Sequence, residues 1–460
     1  MKEEESSSIS GAAFDRDWTK GSIGRNLWSL AWPMIVSNIL NMLGPTIDMI
    51  WVGRLGAASI AGVGVAGMLV MLMNSMMMGL IMGLRAVVAR FVGAGDNRGA
   101  NYVARQAFVI SGTFAMVLAP IGIFFAEPIL TLVGIEADVV AEGVPYMRIM
   151  FAGAVFMSFR MMTEGIMQAS GDSITPMRIA ILFRLIHIPL CPFLVFGWWI
   201  FPQLGVSGAA LTNVISQSLG LALGLWVLFS GRTRLRLSLS NFRIDLNVIW
   251  RIVRIGLPAS VMGIQRTLGF LVLTWFIVPF GTAAVAAQTL LQRIDIILFM
   301  PGMGMGVAAG VLAGQNLGAQ QPERAERSGW LAAGFTEGFL VICSVAILLW
   351  AESIIRIFNS EPGLVEIAST FMRITVAGYL VLSCNVVLQH CISGAGDTLP
   401  PMLISLLSIW GVQVPLASFL PQVTNLGMYG VRWAMVAGTV LAAVIYTMYF
   451  RLGRWKRKRV

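Results

Sequence analysis

Segments 225 residues apart in this chain carry the same motif. LAWPMIV around Pro33 lies over IGLPASV around Pro258, and YMRI at Tyr146 to Ile149 lies over FMRI at Phe371 to Ile374. SGDSITPM, ending at Met177, lies over AGDTLPPM, ending at Met402, and VGAGDNRGA, ending at Ala100, lies over LGAQQPERA, ending at Ala325. One offset holding at four separated places implies two like-folded halves, and chance does not readily produce it.

Composition decides what those halves are. The 460 residues are 57% hydrophobic and only 12% charged, against about 25% charged in average soluble domains. Apolar runs near or above the roughly 20 residues needed to cross hydrocarbon recur from end to end. Twelve are legible, from Leu27–Val52 to Met428–Phe450, six in each half. The fold class is an all-α polytopic membrane protein with two six-helix lobes and a central cavity between them. Six is even, so both halves enter from the same side and are related by an axis along the membrane normal. The expected division is a leader over 1–21, a first lobe over 22–229 and an interfacial linker over 230–247. A second lobe over 248–450 and a basic tail over 451–460 complete it.

The net charge of +10 does not mark a nucleic-acid binder, because the basic residues are placed by topology. Arg85, Arg90, Arg98 and Arg105 surround the second connection, and six arginines from Arg232 to Arg254 crowd the sixth. Acidic residues gather in the third and ninth connections. The positive-inside rule therefore puts both termini in the cytoplasm, with the plasma (inner) membrane as the expected location. A basic tail there meets anionic lipid headgroups rather than DNA. The acidic start MKEEESSSIS lacks the apolar core of a cleavable signal. A monomer is expected.

Charges inside membrane spans are costly, so each is a functional candidate. Asp48, in NMLGPTIDMIWVG, has no oppositely charged residue within a turn or two. It is either a structural cap bonded to a neighbouring helix or the holder of a cation: a proton, Na⁺ or a positive substrate. Its repeat mate is Leu273, so the acid belongs to one half only. Arg160 and Glu164 share a helix face four residues apart and suit an ion pair, which Arg184 could join as a gate. Arg266 and Asp295 are expected to neutralise each other, with Arg293 pointing elsewhere. His187 and Cys191 also lie four apart, but two such residues alone do not make a metal site. Pro33 and Pro258 free a backbone carbonyl and permit a bend or a static kink. No Ser-His-Asp set, HExxH or CxxC pair appears, so neither an enzyme nor a bound cofactor is expected. The glycine pairs GAGD at Gly93–Asp96 and Gly394–Asp397 lack the following GK[ST] of a phosphate loop and read as turns.

Taken in order, LAWPMIV, IDMIWVGRLG, VARFVGAGD, QASGDSITPM, LPASVMGI and AAQTLLQRIDIILFMPGMGMGVAAGVLAGQNLGA resemble the multidrug and toxic compound extrusion (MATE) transporters. The likeness runs from about Ser22 to Phe450. The resemblance implies an antiporter that exports organic, often cationic, compounds against entry of H⁺ or Na⁺ as coupling ion. Asp48 matches the family's first-helix coupling carboxylate, and Pro33 the proline at which that helix bends. Other positions depart from the family pattern. Its seventh-span acid corresponds by spacing to Arg266 and its tenth-span acid to Cys384, while a fifth-span Asn and Asp fall at His187 and Cys191. Glu164, Arg184, His187, Arg266 and Asp295 are therefore the remaining candidates for substrate or gate residues. Rival readings are a lipid-linked-oligosaccharide flippase, a transporter of one specific metabolite, and a receptor or channel.

Overall fold

A computed structural model describes residues 17–132, 134, 136–235, 237, 242–458 and 460. The expected leader lies mostly outside these residues, as does part of the linker. Every regular element among them is helical. Ten helices are long and apolar enough to span a membrane, and two bent pairs raise the number to 12. This is the number of apolar runs in the sequence, and the chain is an integral membrane protein.

The elements in order are α1 (Ile23–Val52), α2 (Ala57–Gly93), α3 (Asn97–Phe124), the short α4 (Ala126–Leu132), α5 (Ala137–Ala152) and α6 (Ala154–Ser170). Next come α7 (Ile174–Phe196), α8 (Val206–Ser230), α9 (Leu246–Trp275), α10 (Thr282–Gly318), α11 (Pro322–Arg356) and α12 (Pro362–Tyr379). A π turn (Cys384–Leu388) leads into α13 (Gln389–Gly394). The eleventh span is α14 (Leu399–Leu406), a π segment (Leu407–Gln413) and α15 (Val414–Val423), and α16 (Met428–Leu452) closes the set.

The repeat is written in the backbone as well as in the motifs. Left-handed residues recur at the same offset: Gly56 with Gly281, Gly95 with Gln320, and Gly171 with Gly396. Past that point the pairs Gly205/Gly427 and Gly231/Gly453 sit 222 apart, so the second half is three residues shorter there. The fourth span bends by 48° between α5 and α6, and its counterpart bends by 50° between α12 and the segment ending in α13. Gly153, at the first bend, and Gly378, one residue before the end of α12, are again 225 apart.

Packing divides the chain differently from the linker. One compact unit holds the described residues to Trp18 together with Val36–Gly256; the other holds Thr19–Ile35 with Leu257–Val460. Two of the three changeovers, at Ile35/Val36 and Gly256/Leu257, fall within three residues of Pro33 and Pro258. An interior proline removes one rung of the helix ladder without ending the helix. The two parts of α1, and of α9, can therefore take different neighbours.

In the first unit, small residues let helices approach at backbone distance, a common device between membrane helices. A Cβ on Gly62 of α2 would lie 2.8 Å from the Gly143 nitrogen of α5, and one on Gly208 of α8 would strike the Leu194 carbonyl of α7. The linker folds back rather than standing free. Leu235 and Leu237 are buried, and the Leu237 amide donates to the Leu228 carbonyl at 3.1 Å. Asp245 heads α9, accepting from the Asn247 amide at 2.9 Å and from the Tyr102 hydroxyl at 2.9 Å. The Tyr102 hydroxyl, helped by the Val248 amide, holds the Asp245 carboxyl below its ordinary range.

In the second unit, Leu273, Ile294, Leu298, Phe371, Met372 and Ala434 belong to one apolar core. The basic tail is docked on this unit. Trp455 is fully buried and stacks on Phe450 at 4.8 Å, Lys456 pairs with Glu326, and Lys458 Nζ lies 3.1 Å from Asp397. Lys456 and Lys458 of the tail thus have acidic partners within the protein itself.

Candidate functional site

Asp48 lies on α1 just before the aromatic cluster that ties the end of this helix to the end of α7. Trp51 packs edge-on to Phe196 and Trp198, with ring centroids 6.1 and 6.4 Å away. That clamp brings the inward face of α7 against α1. His187 and Cys191, one turn apart on this face, both reach the Asp48 carboxylate. His187 Nε2 is 3.0 Å from Oδ1, and Cys191 Sγ donates to the same oxygen at 3.4 Å. The Asn213 side-chain amide of α8 donates to Oδ2. Asp48 is 1% exposed and His187 is fully buried.

Two further residues complete the surroundings. Ser216, nearly a turn beyond Asn213 on α8, places its hydroxyl 3.3 Å from His187 Nδ1. The buried Tyr146 ring of α5 shares the electrostatic environment of Asp48 and Cys191. The Asp48 side chain thus has three polar partners, of which Cys191 and Asn213 are donors. Of the two roles open to Asp48 from sequence, the structure shows the bonding to neighbouring helices. It also brings three titratable groups to one point, which a plain cap does not need. Asp48, His187 and Cys191 each offer a ligand atom, all within 4.8 Å of one another. The third ligand was not visible in the His187–Cys191 spacing because it comes from a helix 139 residues away.

The other candidates sort by unit. Glu164 accepts from Arg160 Nη1 at 3.0 Å and from Gln168 Nε2 at 2.9 Å, while Arg160 Nε also donates to Gln217. This is the expected pair, closed by two glutamines. Arg184 does not join it through a hydrogen bond. It reaches instead to the Asn41 carbonyl of α1 at 3.4 Å, with its guanidinium filling the space beside Gly44. Arg160 and Arg184 share only the Phe183 ring, at 5.1 and 5.3 Å.

In the second unit Arg266 and Asp295, expected to interact directly or through water, each take another direct partner. Arg266 Nη2 donates to Gln389 at 3.1 Å. Asp295 accepts from the Tyr379 hydroxyl, and its cation is Arg432 of α16, with Nη1 3.8 Å away. Arg293 is exposed, as its two-residue separation from Asp295 requires. Arg432 is 1% exposed, lies over Phe371 at 5.2 Å, and keeps Nε and Nη2 without a hydrogen-bond partner. Its signal in the sequence is a charge inside the apolar run Met428–Phe450. Asn213 and Ser216 escaped because uncharged polar residues in a span carry a weaker signal. Pro33 sits inside the unbroken helix α1, at the changeover between the two units.

These features define an α-helical membrane transporter of repeated halves, and the comparisons name its family. The MatE family model matches residues 33–193 and again 258–419, once in each half. The chain is 25% identical to a probable multidrug resistance protein NorM of Thermotoga maritima over 95% of its length and 94% of the relative's. It is 27% identical to the probable multidrug resistance protein YoeA of Bacillus subtilis, covering 96% of each. A FAD transporter of Shewanella oneidensis is 24% identical, over 86% of this chain and 88% of that one. Among solved structures, an outward-facing multidrug resistance MATE transporter of the MOP superfamily superposes with a TM-score of 0.88 at 23% identity, covering 94% of this chain and 96% of the other. The chain belongs to the MatE family, a family of multidrug efflux transporters.

Proposed function

We propose that the protein is a secondary active antiporter that exports organic cations in exchange for protons by alternating access. It sits in the plasma (inner) membrane with both termini cytoplasmic. Asp48 is the cation-coupling carboxylate, and Pro33 is the point at which α1 bends. The observation that carries this reading is the buried Asp48 with His187, Cys191 and Asn213 as its immediate partners. Sodium, the other coupling ion in view, is a hard cation that takes an oxygen shell, as calcium and magnesium do. Here N–H and S–H donors occupy the carboxylate, which favours the proton. Protonation of Asp48 would weaken its charge-assisted bonds to α7 and α8 and release α1 to bend at Pro33.

A second reading, export of one specific anionic metabolite, is supported by Arg432 and Arg184. Each is buried with two guanidinium nitrogens unpartnered, and a buried fork of this kind suits a carboxylate or phosphate. The FAD transporter among the relatives points the same way.

The test is uptake into proteoliposomes under imposed H⁺ or Na⁺ gradients, with panels of organic cations and of anionic metabolites. Proton-driven cation transport that is lost in Asp48→Asn, with the variant still folded, supports the first reading. Unchanged coupled transport in that variant removes Asp48 from the mechanism. Counterflow separates either antiporter from a channel, which cannot exchange substrate against its gradient.

A further inference from the structure

We infer that Asp48, His187 and Cys191 form a binding site for a borderline divalent transition-metal ion of the zinc type. The inference rests on the geometry of the cluster and not on the coupling role proposed for Asp48. The three ligand atoms lie within 4.8 Å of one another, with Nε2 3.0 Å and Sγ 3.4 Å from Oδ1. A tetrahedral zinc ion with bonds of about 2.0–2.3 Å holds its ligand atoms roughly 3.2–3.7 Å apart. The two edges to Oδ1 already come within a few tenths of an ångström of that spacing, and the third, from Nε2 to Sγ, is at most 4.8 Å and closes by side-chain rotation.

The donor set selects the ion. One imidazole, one thiolate and one carboxylate suit zinc and its first-row neighbours, while calcium and magnesium require oxygen ligands throughout. Three protein ligands leave the fourth tetrahedral position for a water molecule or a donor atom of a substrate.

The second layer is also that of a metal site. Metal-bound histidines give their other ring nitrogen to a partner, and the partner fixes the ring. Ser216 does this at Nδ1. A hydroxyl both donates and accepts, so Ser216 satisfies Nδ1 whether Nε2 carries a proton or a metal. Asn213 holds the other oxygen of Asp48, leaving Oδ1 aimed at His187 and Cys191. Metal binding displaces the Cys191 thiol proton to solvent; a neutral His187 carries its ring proton on Nδ1, bonded to the Ser216 hydroxyl, while an imidazolium gives up its Nε2 proton to solvent. The ion and the proton therefore compete for one site.

Cobalt(II) is the probe, added to the purified full-length protein in detergent, because its spectrum reports both thiolate ligation and tetrahedral geometry. Wild type is expected to show a thiolate-to-cobalt charge-transfer band and intense tetrahedral visible bands, both removed by zinc. Cys191→Ser should lose the charge-transfer band, while Cys391→Ser keeps it. Ser216→Ala, which removes only the ring's support, should weaken cobalt affinity by about 10–100-fold. As a readout without variants, zinc should protect Cys191 of the wild type from alkylation, read by mass spectrometry. A wild type without these bands, bands that persist in Cys191→Ser, or alkylation of Cys191 unaffected by zinc would each overturn the inference. The two readings fail separately. Proton-driven transport without cobalt bands sinks the metal site alone, and cobalt bands with unimpaired transport in Asp48→Asn sink the coupling role alone.

Discussion

At the scale of single residues, burial makes two groups testable. Asp295 and Arg432 neutralise each other inside the second unit. Removing one partner of a buried pair leaves an uncompensated charge and costs about 3–5 kcal/mol, whereas removing both can be close to neutral. Asp295→Asn should therefore lower the thermal midpoint in detergent well below that of Asp295→Asn combined with Arg432→Met. Arg266→Met should not rescue Asp295→Asn. The second group is Asp172, in the turn between α6 and α7, outside the spans. Its Oδ1 accepts from the Thr175 amide at 3.0 Å while Oδ2 is buried without a partner. Burial raises this carboxyl above the ordinary range, only partly offset by the Thr175 bonds. The native state thus binds the proton more tightly than the unfolded chain, so stability falls as pH rises from the ordinary carboxylate value to the raised one. Asn caps helices as well as Asp. Asp172→Asn should melt higher than wild type at neutral pH, with the advantage vanishing below about pH 4. Melting curves at stepped pH check both the sign and the window.

Among elements, the decisive contact is between α7 and α8. Gly208 lets α8 rest on the Leu194 carbonyl, and the next two turns of the same helix present Asn213 to Asp48 and Ser216 to His187. A side chain at 208 has no room, and overpacking costs typically about 1–3 kcal/mol. Gly208→Val should lower the melting temperature and reduce transport together, because the helix that carries the second layer is pushed off the first. Gly208→Ala should do the same to a smaller degree. Loss of transport at an unchanged melting temperature would assign Gly208 a role other than packing. The π segments in the tenth and eleventh spans belong to this scale too. They interrupt the α ladder at Cys384–Leu388, which has no proline, and at Leu407–Gln413, which runs into Pro415. The Asn385 amide turns there to the Thr439 carbonyl at 2.9 Å.

For the whole molecule, the even number of spans and the placement of arginines lead to one expectation about sidedness. Both termini should face the cytoplasm. An epitope added after Val460 should resist protease in intact cells and be cleaved once the membrane is permeabilised. Cleavage in intact cells would reverse the orientation. The same even count underlies the parallel repeat, which the backbone carries through the paired left-handed residues and the paired bends. The polar clusters do not follow that symmetry. Asp48 has buried Leu273 as its mate, and Asp295 has Val70 at the same offset. The halves share a scaffold and differ in chemistry.

Much of this was decided by the sequence alone. Twelve apolar runs set the number of spans, because hydrocarbon thickness fixes the length of an apolar helix. The 225-residue offset set the repeat, because the same turns recur with the same left-handed positions, most of them glycine. Asp48 stood out because an isolated charge in a span is costly wherever it packs. The partners of each charge were another matter. Spacing along one helix identified Arg160 with Glu164, which lie on one face four residues apart. It failed for Asp295, whose cation comes from α16, and it hid the meeting of His187 and Cys191 with Asp48. Side chains on different helices meet according to helix rotation and close approach at glycines such as Gly208. Those are set by the summed packing of whole faces, which no local pattern records. The sequence therefore determined the scaffold and its isolated acid, and the tertiary structure alone decided which groups share that acid.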